Sequence, residues 1–195
     1  MKTVILGTAH GSNVAGKRSP DGRLREYEYS REVCRRVRDA LLARGVRCVI
    51  DIEGDREPSL RERVRLVNRL CHVHGDCLYV SIHNNAAGSD GHWHDARGFA
   101  VMVAPNASLC SRRLATIFHR RAVAMGLQGN RCYPSKGYYE QSLAVCRDTA
   151  CPAVLTENMF QDNRDDVDFL LSPVGMQTVV DLHIDSITEY LNEEL

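Results

Sequence analysis

The chain is predicted to be an α/β protein, with a mainly parallel twisted sheet, helices on both faces and one domain over residues 1–195. Three observations lead there. Short apolar runs of strand length alternate with stretches of helical period. Strands separated by helices form βαβ units, which run parallel and are buried on both faces. No repeat, low-complexity tract or Pro/Gly/Ser-rich linker divides the chain, so one sizeable core is expected.

The strand-like runs are 3-TVILGTA-9, 46-VRCVIDI-52, 77-CLYVSIH-83, 98-GFAVMVA-104 and 153-AVLTE-157, with a shorter one at 143-LAVCR-147. Between them lie helical stripes. Val33, Cys34, Val37, Ala40 and Leu41 form the first, ending at Gly45 with Arg44 in its last turn. Leu60, Val64, Val67, Leu70 and Cys71 form the second, stopped by Gly75, with His72 and His74 where cationic side chains suit the helix dipole. Ser108 caps a third that carries Leu114, Ile117 and Phe118. Met176, Val179, Val180, Ile184, Ile187 and Leu191 mark the last, and His183 in its apolar phase is expected to be partly buried.

Composition narrows the function classes. Formal net charge is zero, so no overall field recommends nucleic acid or an anionic membrane as a partner. The charge is uneven: residues 1–70 hold 16 Lys/Arg and 10 Asp/Glu, whereas residues 151–195 hold 1 and 10. Solvated helix faces of opposite sign account for that. No apolar run approaches the about 20 residues needed to span a bilayer. Met1 and Lys2 lead straight into the first strand, so a chain cytoplasmic as synthesised is expected. The eight cysteines include no CxxC pair; free thiols are expected, with neither a disulfide framework nor a zinc ribbon.

The segment 7-GTAHGSNVAGKRSPDG-22 poses a choice between a phosphate cradle and a loop presenting a metal ligand. A P-loop needs G-x-x-x-x-G-K-[ST]. Gly11, Gly16 and Lys17 fit, but Arg18 stands at the hydroxyl position, and Pro20, Asp21 and Gly22 form a turn where the phosphate-binding helix should start. Without that helix N-terminus the backbone donors do not converge on an anion. A nucleotide site is therefore not expected.

The other strand ends favour the metal. His10 follows the first strand, His83 ends 77-CLYVSIH-83, and Glu157 ends 153-AVLTE-157. Counting back from Val37 and Val33 through Ser30 puts Glu26 in the buried phase at the start of the first helix. In sheets of this type, ligand sites lie at the carboxyl ends of the strands. Two imidazoles and a carboxylate make a common catalytic zinc set, with the fourth position left to water. A second, unligated carboxylate can then move protons.

With these residues in place, the chain resembles the zinc-dependent N-acetylmuramoyl-L-alanine amidases of bacterial and phage cell-wall turnover, nearly end to end. The family's D-P-G-H-G turn is matched by 8-TAHGS-12 and its L-x-x-R-x-x-x-A-N segment by 60-LRERVRLVN-68. Its S-I-H-x-N-A segment appears as 81-SIHNNA-86, before a G-F strand at 98-GFAVMV-103, and its P-A-x-L-x-E-x-x-F-x-x-N pattern as 152-PAVLTENMFQDN-163. The stretch from Glu26 to 41-LLARGV-46 matches in spacing. Gly7, Thr8 and Ala9 replace Asp-Pro-Gly, and Val67 replaces the usual alanine.

The resemblance implies that His10, Glu26 and His83 bind Zn2+ and that Glu157 is the catalytic base and proton shuttle. It implies hydrolysis of the amide between N-acetylmuramic acid and L-alanine, with peptidoglycan as substrate and partner. Asn84 and Asn85 beside the ligand histidine, Trp93 in 92-HWHD-95, and Arg131 and Lys136 in 131-RCYPSKGYY-139 are candidate substrate contacts, the last two for stem-peptide carboxylates. An endolysin that reaches the wall on lysis fits the expected absence of an export signal. The competing readings are a zinc carboxypeptidase or other peptidase on a similar sheet, and a non-catalytic wall-binding module.

Overall fold

A computed structural model describes residues 2–193. In chain order its elements are β1 (Thr3–Thr8), α1 (Glu26–Ala43), β2 (Cys48–Ile50), α2 (Leu60–His74), β3 (Cys77–Asn85), β4 (Ala100–Val103), α3 (Leu109–Ala124), β5 (Tyr139–Glu140), α4 (Ala144–Arg147), β6 (Ala153–Phe160), α5 (Arg164–Leu171) and α6 (Pro173–Asn192). The strands form one sheet in the order β2-β1-β3-β6-β4-β5. The first four are mutually parallel, while β4 lies antiparallel to β6 and carries β5 parallel to itself. A mainly parallel α/β sheet is therefore what the chain forms.

Side-chain alternation along the strands divides the core in two. Val4 and Leu6 of β1 and Leu78, Val80 and Ile82 of β3 pack with α1, α3, α5 and α6. Ile5, Tyr79 and Leu155 point the other way, against Val67 and Cys71 of α2 and Val145 and Cys146 of α4. Strands buried on both faces read as continuous apolar runs, which is why TVIL and CLYV stand out in the sequence.

Helix ends follow local chemistry. Ser59 and Glu62 form a reciprocal capping box at the start of α2, and Gly75 ends it at φ 78°. Ser108 caps α3 by accepting from the Ser111 N–H. Ser172 caps α6, whose first residue is Pro173.

Three expectations need correction. Residues 143–147 are not a strand: Leu143 is extended, but its carbonyl accepts from the N–H groups of Cys146 and Arg147, winding the single turn of α4. That turn buries Val145 and Cys146 on the sheet, a pattern too short to reveal its period. Helix α5, capped by the Asn163 side chain, has no counterpart among the sequence expectations, nor has the two-residue β5. His183 is fully rather than partly buried: its Nε2 lies 2.9 Å from Thr156 Oγ1 and its Nδ1 2.8 Å from the Val179 carbonyl. All eight cysteines are free.

Candidate metal centre

His10 leaves the end of β1 with φ 40°, the left-handed region that residues other than glycine seldom enter. Its neighbours hold it there. The Ala9 N–H donates to Ser30 Oγ at 2.8 Å, and that hydroxyl donates to the Ile82 carbonyl at 2.6 Å, tying the turn to α1 and β3. Arg31 donates to the carbonyls of Ala9 and His10 at 3.0 Å each, and to Gly54 at 2.9 Å. Gly11 permits the close approach that follows, since a Cβ there would lie 2.1 Å from the Glu57 nitrogen. Glu57 Oε2 in turn sits 3.2 Å from His10 Nδ1. A carboxylate on one ring nitrogen fixes the tautomer and turns the other, Nε2, toward the site.

Glu26 opens α1 and is 1% exposed. Its Oε1 accepts from the Asn84 N–H at 3.1 Å and lies 3.2 Å from His83 Nδ1. Its Oε2 is buried without a hydrogen-bond partner, 3.6 Å from His10 Nε2. His83 is steadied from behind, its Nε2 3.0 Å from Ser81 Oγ. The two imidazoles meet edge to face with ring centroids 5.4 Å apart. One donor atom from each of His10, Glu26 and His83 falls within 4.8 Å of the others, an arrangement able to hold a metal ion. The orphaned Glu26 oxygen fits that use, because a buried carboxylate oxygen left without a donor is otherwise costly.

Burial pushes the Glu26 carboxyl up, but the His83 hydrogen bond, the charges of both histidines and the Asn84 N–H together hold it below the ordinary range. Burial lowers His10, helped by the charges of His83 and Lys17 and opposed by Glu26 and Glu57. A His10 imidazole biased toward neutrality and a Glu26 carboxylate biased toward ionisation are the forms that metal ligation requires.

Glu157 stands in register with His83 on the neighbouring strand and with Ala100 on the other side. Burial, reinforced by the charge of Glu26, raises its carboxyl to about 7, against the opposing charges of His83 and Lys17. Its Oε2 is sealed from solvent with no hydrogen-bond partner. Just beyond it the β3–β6 register shifts between His83 and Asn85, and Met159 takes φ 64°. Asn158 spans this bulge, donating from Nδ2 to the His83 carbonyl at 3.0 Å and accepting at its own carbonyl from Asn84 Nδ2 at 2.6 Å. Bulges of this kind re-aim side chains beside active sites.

The remaining candidates are more dispersed. Asn84 is 4% exposed and backs Glu26 instead of facing solvent. Asn85 caps the next turn, its Oδ1 accepting from the Ala86 N–H at 2.9 Å. Trp93 is half-buried against the core with Arg164 over its ring at 4.5 Å. Arg131 lies over the rings of Phe160 and Tyr139, at the end of β6 that carries the site. Lys136 is paired with Glu140 at 2.8 Å. Glu140 pairs with Val103, three residues along β4 from Ala100, and so lies toward the opposite edge of the sheet.

Two supports escaped the sequence reading, Arg31 and Glu57. A charged residue three positions before Cys34, in the buried phase of α1, was an available signal for Arg31. Glu57 offered none, since it reaches His10 from 47 positions away.

The sequence profile described as N-acetylmuramoyl-L-alanine amidase matches residues 4–189. The chain belongs to that family. It is 27% identical over 192 residues to an endolysin of Bacillus phage SPP1, covering 98% of this chain and 66% of that protein. It is 25% identical over 194 residues to the N-acetylmuramoyl-L-alanine amidase CwlM of Bacillus licheniformis, covering 98% and 70%. Among solved structures, the catalytic domain of the amidase CwlV from Bacillus (Paenibacillus) polymyxa superposes with a TM-score of 0.81 at 25% identity, covering 98% of this chain and 99% of that one. Ami1 of Mycobacterium smegmatis, at 23% identity and a TM-score of 0.83 over 98% and 97%, shares the fold.

Proposed function

We propose that the chain is a zinc hydrolase that cleaves the amide joining N-acetylmuramic acid to L-alanine in peptidoglycan. The observation that carries this reading is a pair of buried carboxylate oxygens without partners, Glu26 Oε2 and Glu157 Oε2, on residues that both neighbour His83. Family membership supplies the substrate class, and the match to a phage endolysin supports a role in wall lysis.

His10, Glu26 and His83 would hold the ion, which supplies a Lewis acid for the scissile carbonyl and hydroxide near neutral pH. Glu57 and Ser81 orient the imidazoles, and the Asn84 N–H orients the ligand carboxylate. Glu157 takes a proton from the attacking water and returns it to the departing alanine nitrogen. A carboxyl near 7 suits both halves of that transfer, because it loses and regains a proton with little driving force at neutral pH. Arg131, on the site's side of the sheet, meets the stem peptide, while Lys136 serves its ion pair. The test is release of stem peptide from purified peptidoglycan, abolished by a chelator and restored by zinc. Release that survives complete metal removal would overturn the zinc assignment.

A further inference from the structure

The segment 15–20, which the metal centre leaves without a role, forms one wall of a cavity of about 390 Å³. Lys17 and Arg18 line that wall. Opposite stand Ala86 and Gly88, just past the His83 strand, and Gln161 and Asp162, just past the Glu157 strand. The cavity therefore opens beside the catalytic residues.

The wall is built to hold its shape. Ser19 is fully buried, donating to Asp21 Oδ1 at 2.7 Å and accepting from the Leu24 N–H at 3.0 Å. The Lys17 carbonyl accepts the N–H of Glu26 at 3.0 Å, so this lysine is anchored one hydrogen bond from a metal ligand. Lys17 is half-buried and Arg18 exposed, and neither the ammonium nor the guanidinium has an ion pair or a hydrogen bond among the described residues. The charge of Lys17 is nonetheless felt at both His10 and Glu157. Of the facing acid, Asp162 Oδ2 accepts from the N–H groups of Ala87 and Gly88 at 2.8 and 2.9 Å, while its Oδ1 is buried without a hydrogen-bond partner. Gln161 is 3% exposed, with its Oε1 unpartnered. Two cations without protein partners on a hydrogen-bonded loop, beside the proposed place of cleavage, suit an anion.

We propose that this cavity takes a carboxylate of the peptide side of the substrate, gripped by Lys17 with Arg18 beside it. The proposal rests on the amidase reading for the identity of that peptide.

The test measures binding by calorimetry, in zinc-loaded Glu157→Gln protein so that nothing is consumed. The probes are N-acetylmuramoyl-L-alanyl-D-glutamate and the same compound with both glutamate carboxyls amidated. The acid should bind about tenfold tighter than the diamide. Lys17→Met should weaken the acid about tenfold and the diamide less than about twofold, and Lys17→Arg should keep the preference. Equal weakening of both compounds by Lys17→Met, no weakening of either, or no binding of the acid would overturn the subsite. Turnover of the acid by the native protein is followed in parallel. Lys17-dependent binding without hydrolysis would leave the subsite standing and overturn the amidase reading; hydrolysis with Lys17-indifferent binding would do the reverse.

Discussion

His83 of β3 and Glu157 of β6 are register partners on adjacent parallel strands, so their side chains emerge from the same face of the sheet, level with one another. Both belong to the alternating set that includes Tyr79 and Leu155; the residues just before them, Ile82 and Thr156, face the other way, Thr156 toward His183 of α6. The candidate ligand and the carboxylate proposed to carry the proton are thus placed side by side by strand pairing. Glu26 and His10 then approach from a helix start and a strand end to complete the group.

Glu157→Gln removes the proposed proton carrier and keeps the shape. The protein should still bind zinc with near-normal affinity and lose at least about a hundredfold in kcat. Zinc stoichiometry and steady-state kinetics on a muramoyl peptide check this together. Near-normal turnover would remove Glu157 from the chemistry.

Glu57→Ala strips His10 of its orienting carboxylate. Zinc affinity, measured by competition with a chromogenic chelator, should fall about 10- to 100-fold with the fold intact. An unchanged affinity would mean that the clamp of Arg31 and Ser30 on the turn is sufficient.

Arg63→Met breaks a buried pair. Asp51 accepts from Arg63 Nη1 at 2.6 Å, from the Tyr79 hydroxyl at 3.0 Å and from the Thr8 N–H at 3.0 Å, which pins the end of β1 just before His10. Losing the guanidinium strands a buried carboxylate, and denaturant unfolding should show a loss of about 3–5 kcal/mol. A loss below about 1 kcal/mol would show that Tyr79 and Thr8 suffice to hold Asp51.

His183 gives the fold an acid sensitivity separable from the site. Burial drives its pKa from 6.5 down to about 4, against a smaller upward pull from the Val179 carbonyl. Between those values the unfolded chain binds the proton and the folded one does not. Stability present above pH 6.5 is therefore lost as pH falls toward 4, by about 3 kcal/mol. Glu157, raised to about 7, acts in the opposite sense over an overlapping range, so the readout is the difference between the native protein and His183→Asn. That difference should shrink in favour of the variant as the pH drops. A pH-independent difference would contradict the buried neutral imidazole.

Much of this was legible in the sequence, for identifiable reasons. Strands β1, β3 and β6 are buried on both faces and announce themselves as apolar runs; His10 follows β1 directly, while His83 and Glu157, expected to end their strands, lie two and three residues inside them because β3 runs on to Asn85 and β6 to Phe160. Glu26 was reachable by counting helical phase from Val33. What stayed hidden depends on pairing across distance. The reversed direction of β4 follows from its neighbour, not from its own residues. The single turn of α4 is too short to show a period, and α5 hides behind the Asn163 cap in a motif read for its glutamate. Glu57 acts on His10 through folded geometry alone. The Lys17–Arg18 pair was visible as a failed P-loop, and only the cavity it lines suggests a use for it.

Digestion of insoluble peptidoglycan with the purified zinc-loaded protein, the soluble products identified by mass, tests the proposed cleavage of the muramoyl–alanine amide. Intact stem peptides bearing L-alanine at a new amino terminus are expected, with the glycan strands left uncut. Products cleaved within the stem peptide, or between sugars, would contradict it.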